Sequence, residues 1–165
     1  MHRDLHNLNY FWDGDAMVTI FGWNMAVVYD PIAVIPIHHH NAPERLFPPE
    51  ARTNTSAVHT SVYAYDVYTI GKLARGMIKS CCDWEQLERD ATKVRNGSDI
   101  HLVLDRANKT ATGFLEEAAA YDLVRYMMHP DPYQRPDTIA ALQHPFFSVT
   151  NADDTNSEMI RSFQY

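Results

Sequence analysis

The sequence predicts a mainly α fold with one short β-hairpin near its N-terminus, and three patterns carry that expectation. Apolar residues recur at helical spacing in three stretches: Ile70, Leu73, Ala74, Met77 and Ile78; then Trp84, Leu87, Ala91 and Val94; then Ala120, Leu123, Val124, Met127 and Met128. Two short apolar runs, Tyr10-Phe11-Trp12 and Met17-Val18-Thr19-Ile20, flank an Asp13-Gly14 turn signal. Between hairpin and first helix the chain is rich in breakers and poor in helix signals, so residues 23–41 read as a loop.

Taken in order, each helix has a start or a stop that chemistry explains. Met77 and its neighbours are expected in the core, and Asp66 stands where a helix N-cap is plausible. Asp83 with Gln86 three residues later makes a capping-box start, and Asn96-Gly97 stops that helix. Residues 98–113 show no sustained period and read as a loop with a short strand at 101–104. The helix over 116–128 is the most amphipathic of the three. Residues 148–165 are polar and read as a frayed tail.

Composition narrows the function classes. With 165 residues and 45% hydrophobic content, the chain is long enough to bury a core. A formal net charge of -7 argues against a general nucleic-acid binder. No apolar run reaches the length of a membrane span, since the longest is broken by Tyr29, Asp30, Pro31 and Pro36. Cys81 and Cys82 are adjacent and offer no disulfide framework, which points to a reducing, cytoplasmic setting. The three N-x-S/T sequons at Asn54, Asn96 and Asn108 are read as accidental there. His38-His39-His40 reads as a loop feature, because consecutive histidines diverge where metal ligands must converge.

Five landmarks then occur in one order. His2-Arg3-Asp4-Leu5 with Asn9 resembles the catalytic loop of the eukaryotic protein kinases. Ile20-Phe21-Gly22 stands at the place of that family's D-F-G motif, and Ala42-Pro43-Glu44 at the place of its A-P-E motif. Tyr65-Asp66-Val67-Tyr68-Thr69-Ile70-Gly71 is similar to the D-x-W-x-x-G of its central helix. The Asp131-Pro132 to Arg135-Pro136 run and His144-Pro145-Phe146-Phe147 resemble the end of a Ser/Thr-type kinase domain.

The resemblance implies a partial kinase domain, the C-terminal lobe, over 1–147, with a polar tail over 148–165. It implies Asp4 as the proton acceptor, Arg3 beside it, and Asn9 as a magnesium ligand on the phosphates of ATP. It implies structural roles for Asp66, tying its helix to the catalytic loop, and for Glu44 and Arg135, a buried ion pair. It also implies a protein substrate or protein partner.

The departures are specific. Ile20 replaces the metal-binding aspartate, His6 stands where Ser/Thr kinases carry a lysine, and Ile37 and His40 replace a threonine and a tyrosine before the A-P-E alanine. The glycine-rich loop and the nucleotide-contacting lysine have no counterpart in this sequence. Three readings follow: an active phosphotransferase, a pseudokinase-like interaction module, and a degenerate kinase whose Met1 is an internal residue of a longer reading frame.

The loop chemistry sets one regulatory expectation. Residues 23–41 contain no serine or threonine, and Tyr29 is their only phosphorylatable side chain. Phosphopeptide mapping of the expressed protein is expected to find no phosphoserine or phosphothreonine in that stretch. An abundant phosphotyrosine at Tyr29 would replace the expectation with a tyrosine switch.

Overall fold

The structure, a computed structural model, describes residues 2, 4–6, 9–14, 17–26, 48–52, 63–96 and 111–149. It is mainly α-helical with one antiparallel hairpin. The elements are β1 (Tyr10–Trp12), β2 (Val18–Ile20), α1 (Pro49–Arg52), α2 (Ala64–Cys81), α3 (Trp84–Arg95), α4 (Ala111–Met127), α5 (Thr138–Leu142) and α6 (Phe146–Val149). Short 3-10 turns cover Trp23–Met25 and Pro132–Gln134. Among the described residues no helix is long and apolar enough to cross a membrane. The chain divides into two compact units, Met1–Ala74 with Arg125–Asp137, and Arg75–Val124 with Thr138–Tyr165.

In the first unit the hairpin pairs Tyr10 with Ile20, Phe11 with Thr19 and Trp12 with Val18. The turn works because Gly14 takes φ 93°, a region costly for any residue with a Cβ. Asp13 secures it twice, donating its N–H to Met17 O and accepting from Met17 N–H on Oδ1.

The first unit's core is built on the start of α2. Ala64, Tyr65, Tyr68 and Thr69 are buried, with Leu5 and Met127. Ile70 and Met77, expected in the core, are instead exposed, at 42% and 51%. The helix turns its tyrosine face inward because Gly71 lies on that side. A Cβ built at Gly71 would fall 2.9 Å from Met128 Cγ and 3.0 Å from Met127 Cβ, an approach only glycine permits.

Arg135 closes this unit. Its Nη1 and Nη2 donate to the two carboxylate oxygens of Glu50 at 2.6 and 2.7 Å. Nε donates to His129 O, Nη1 also to Ala64 O, and Nη2 also to Pro130 O. All five N–H groups of the guanidinium are therefore used, and its carbon sits 4.7 Å from the Tyr68 ring centroid. Glu44, the partner expected from sequence, lies outside the described residues. Glu50 follows Pro48, which is fully buried, and sits in the first turn of α1, where Pro49 needs no hydrogen-bond acceptor for a missing N–H.

In the second unit α3 starts as its cap predicts, with Gln86 N–H donating to Asp83 Oδ1. The Gln86 side chain does not return to the cap. It donates to Asp90 Oδ2 at 2.6 Å and accepts from Arg89. Trp84 and Leu87 are buried as expected, with Asp90 beside them. The Trp84 ring lies 4.9 Å from that of Tyr121, whose hydroxyl donates to Glu88. Lys79 meets Glu85 at 2.8 Å and, by that hydrogen bond first, holds the exposed Glu85 carboxyl below the usual carboxylate range.

Helix α4 starts at Ala111, five residues before the expected 116, and takes Gly113 into its first turn. Ala118, Ala119 and Tyr121 join Leu123, Val124 and Met127 in its buried set, while Ala120 is only half-buried. Asp131 caps the following 3-10 turn, accepting from Tyr133 N–H at 2.9 Å. Ser148 and Val149 belong to α6 rather than to the tail, whose remaining residues, with the strand expected at 101–104 and His38 to His40, lie outside the described residues.

Glu50→Ala leaves a fully enclosed guanidinium without its counter-charge. The expected cost is about 3–5 kcal/mol, the range for breaking one side of a buried pair. Chemical denaturation of the variant checks it; a loss below about 1 kcal/mol would make Arg135 a solvated charge.

Candidate functional site

The site is the loop before the hairpin and the residues just after it. His2, Asp4 and Leu5 are buried although the loop carries no regular structure, so its polar groups must be satisfied by specific partners. They are. Asp66, in the first turn of α2 rather than at its cap, accepts the His2 backbone N–H on Oδ2 at 2.6 Å. The His2 ring bridges in the other direction. Phe21 O can only accept, so Nε2, 3.0 Å away, carries the hydrogen, which leaves Nδ1 to accept from Asp4 N–H. The indole of Trp23 lies 4.6 Å from the same imidazole.

Asn9 is the second organising residue. Its Nδ2 donates to Asp4 O at 2.7 Å and to Asp4 Oδ2 at 3.0 Å, and lies 3.0 Å from His6 Nε2. Two oxygens facing Nδ2 determine the amide's orientation, since the flipped form would set oxygen against oxygen. Two acceptor oxygens of Asp4 and the His6 ring nitrogen thus converge on one amide nitrogen. His6 Nε2 also stands 3.7 Å from Asp4 Oδ1, so one imidazole touches both members of the Asp4–Asn9 pair.

The backbone closes the arrangement. Asn9 N–H donates to His6 O, and Phe21 N–H donates to Asn9 O, extending the hairpin ladder by one pair. Gly22 follows at φ 79°, and a Cβ there would fall 2.6 Å from Asn9 Oδ1 and 2.7 Å from Asn9 Cγ. The asparagine side chain occupies the space that any residue but glycine would need at position 22.

The structure therefore brings together Asp4, Asn9 and Asp66, three of the residues singled out from sequence, and adds His2, His6 and Gly22 to them. Arg135 makes its ion pair with Glu50 and bonds Ala64 O at the start of α2, two residues before Asp66. Arg3 and Glu44 lie outside the described residues. Sequence reasoning missed Glu50, and the available signal was Pro48-Pro49-Glu50, a second Pro-Glu pair six residues after Pro43-Glu44. Ile20 is 40% exposed, and its carbonyl accepts from Trp23 Nε1.

No family model, curated protein or solved structure matches the chain. Among the described residues no three His, Cys, Asp or Glu side chains are grouped as a metal site would require.

The fit of Asn9 against Gly22 makes a coupled prediction. Gly22→Ala is expected to cost about 1–2 kcal/mol for the left-handed backbone alone, and more for the collision with Asn9. In an Asn9→Ala background the collision disappears, so the double variant should be more stable than the summed single effects by roughly 0.5–3 kcal/mol. Urea denaturation of the four proteins measures it, and simple additivity would mean that the two residues do not touch.

Proposed function

We propose that the chain is a protein-kinase-type helical lobe whose lineage activity is ATP-dependent phosphoryl transfer to serine or threonine hydroxyls of proteins, and which no longer performs it. The observation that carries this reading is the side-chain pairing of Asp4 with Asn9 directly beneath Phe21-Gly22, next to Ile20 in the place of an acidic ligand. Asp4 and Asn9 are the residue types that accept a hydroxyl proton and hold a phosphate-bound metal in that family.

The donor set does not suit a magnesium–nucleotide pair. Magnesium takes six oxygen ligands in near-octahedral geometry and is commonly held by one or two carboxylates besides phosphate. Ile20 contributes methyl and methylene groups where a charge of -1 is needed. Asn9 spends its amide nitrogen on Asp4 and the His6 edge, leaving one neutral oxygen. Asp13 cannot substitute, because it sits at the turn, about three residues or ~10 Å along the strand from Ile20, and holds Met17 N–H. Phosphoryl transfer rests on positioning and charge neutralisation, so losing that carboxylate removes most of what the lobe supplies.

A second reading, a pseudokinase-like interaction module without nucleotide chemistry, is favoured by how the loop uses its polar groups. His2, Asp4 and Asn9 are bonded to one another, to Phe21 O and to Asp66, an architectural use that needs no nucleotide.

Thermal melting with millimolar magnesium and ATP tests the proposal. A nucleotide held at one-hundredth of its applied concentration would stabilise by about 2.7 kcal/mol and raise the melting temperature by roughly 5–10 °C. The expected shift is below about 1 °C. Labelled phosphate incorporated by the wild type and lost in Asp4→Asn would overturn the reading and make Asp4 a working base.

A further inference from the structure

Nine asparagines occur in the chain, and Asn96 is the one followed by glycine. It is the first residue beyond α3 and is exposed, and its side chain makes no hydrogen bond among the described residues. Its backbone N–H still donates to Thr92 O at 3.0 Å, so the last helical turn ends on it. We propose that Asn96 is a site of spontaneous chemical modification, deamidating through a succinimide closed on the Gly97 nitrogen, with water as co-reactant.

The step needs neither enzyme nor cofactor. The deprotonated Gly97 nitrogen attacks Asn96 Cγ, the Cγ–Nδ2 bond breaks, and the side-chain amide leaves as ammonia. Water then opens the five-membered ring at either carbonyl. Opening at Cγ leaves aspartate, and opening at the main-chain carbonyl leaves isoaspartate, whose backbone runs through Cβ and Cγ. One water is consumed and one ammonia released. Ring closure turns the asparagine out of helical ψ, which a residue inside a helix resists and one beyond its end does not. A Cβ on the following residue would crowd the ring, and Gly97 has none. The other described asparagines fail on both counts. Asn9 precedes Tyr10, and its Nδ2 is held by Asp4. Asn24 lies within a 3-10 turn and precedes Met25. Either product places a new negative charge at the C-terminal end of α3, where the helix carbonyls already present their negative ends, so the last turn is weakened. Isoaspartate also adds one backbone carbon just after the helix. The inference is independent of the kinase reading, since it uses no residue of the Asp4–Asn9 site.

Incubation of the full chain under mildly acidic, neutral and mildly alkaline conditions, followed by peptide mass spectrometry, is the test. The peptide carrying Asn96 should gain the mass difference between an amide and a carboxyl group, faster as hydroxide rises. Electron-transfer fragmentation should show isoaspartate together with aspartate at that position. Gly97→Ala should slow the conversion by about tenfold or more, with an unchanged far-ultraviolet circular dichroism spectrum. Hydrogen exchange of residues 92–96 should be faster in the aged wild type than in the fresh protein. An Asn96 that survives alkaline conditions converting the same sequence in an isolated peptide, a rate unaffected by Gly97→Ala, or unchanged exchange in the aged protein would each overturn the proposal.

Discussion

The first unit depends on one guanidinium. Arg135 is buried, and burial of a charge is tolerable only when every donor finds an acceptor and a counter-ion lies close. Glu50 supplies the charge in a two-point contact, while three backbone carbonyls, of Ala64, His129 and Pro130, take the remaining donors. Those partners come from α1, the start of α2 and the turn after α4. One side chain therefore sets the distance between three pieces of chain that are far apart in sequence. Tyr68 closes the flat side, so the contact is both hydrogen-bonded and packed.

The loop around Asp4 obeys the same rule on a smaller scale. It has no ladder of its own, and its order comes from side chains standing in for backbone partners. His2 bridges Asp66 to Phe21 through both its main chain and its ring, and Asn9 holds Asp4 from two directions. Gly22 is required because the space its side chain would take is already filled. A loop arranged this way is well positioned; on the kinase reading proposed above, phosphoryl transfer would also need charge, and Ile20 brings none.

The hairpin shows what local structure cannot supply. Two three-residue strands bury little by themselves, and here both faces carry aromatic or aliphatic side chains. The turn is well made, with a left-handed glycine and an aspartate bonded twice.

Sequence alone determined whatever short-range physics controls. The Asp13-Gly14 turn, the Asp83 cap of α3 and the mainly α class were legible because each rests on residues within a few positions of one another. It also pointed to Asp4, Asn9 and Asp66, although only by resemblance to a family pattern. Tertiary structure decided what periodicity leaves open. The spacing of α2 allows a face of Ile70, Leu73 and Met77 or one of Tyr65, Tyr68 and Gly71, and the close approach of Met127 and Met128 to Gly71 selected the second. The choice of carboxylate for Arg135 was equally open, since Glu44 and Glu50 both follow a proline. A salt bridge between residues 85 positions apart leaves no local periodicity, and only the path of the chain through space chose Glu50.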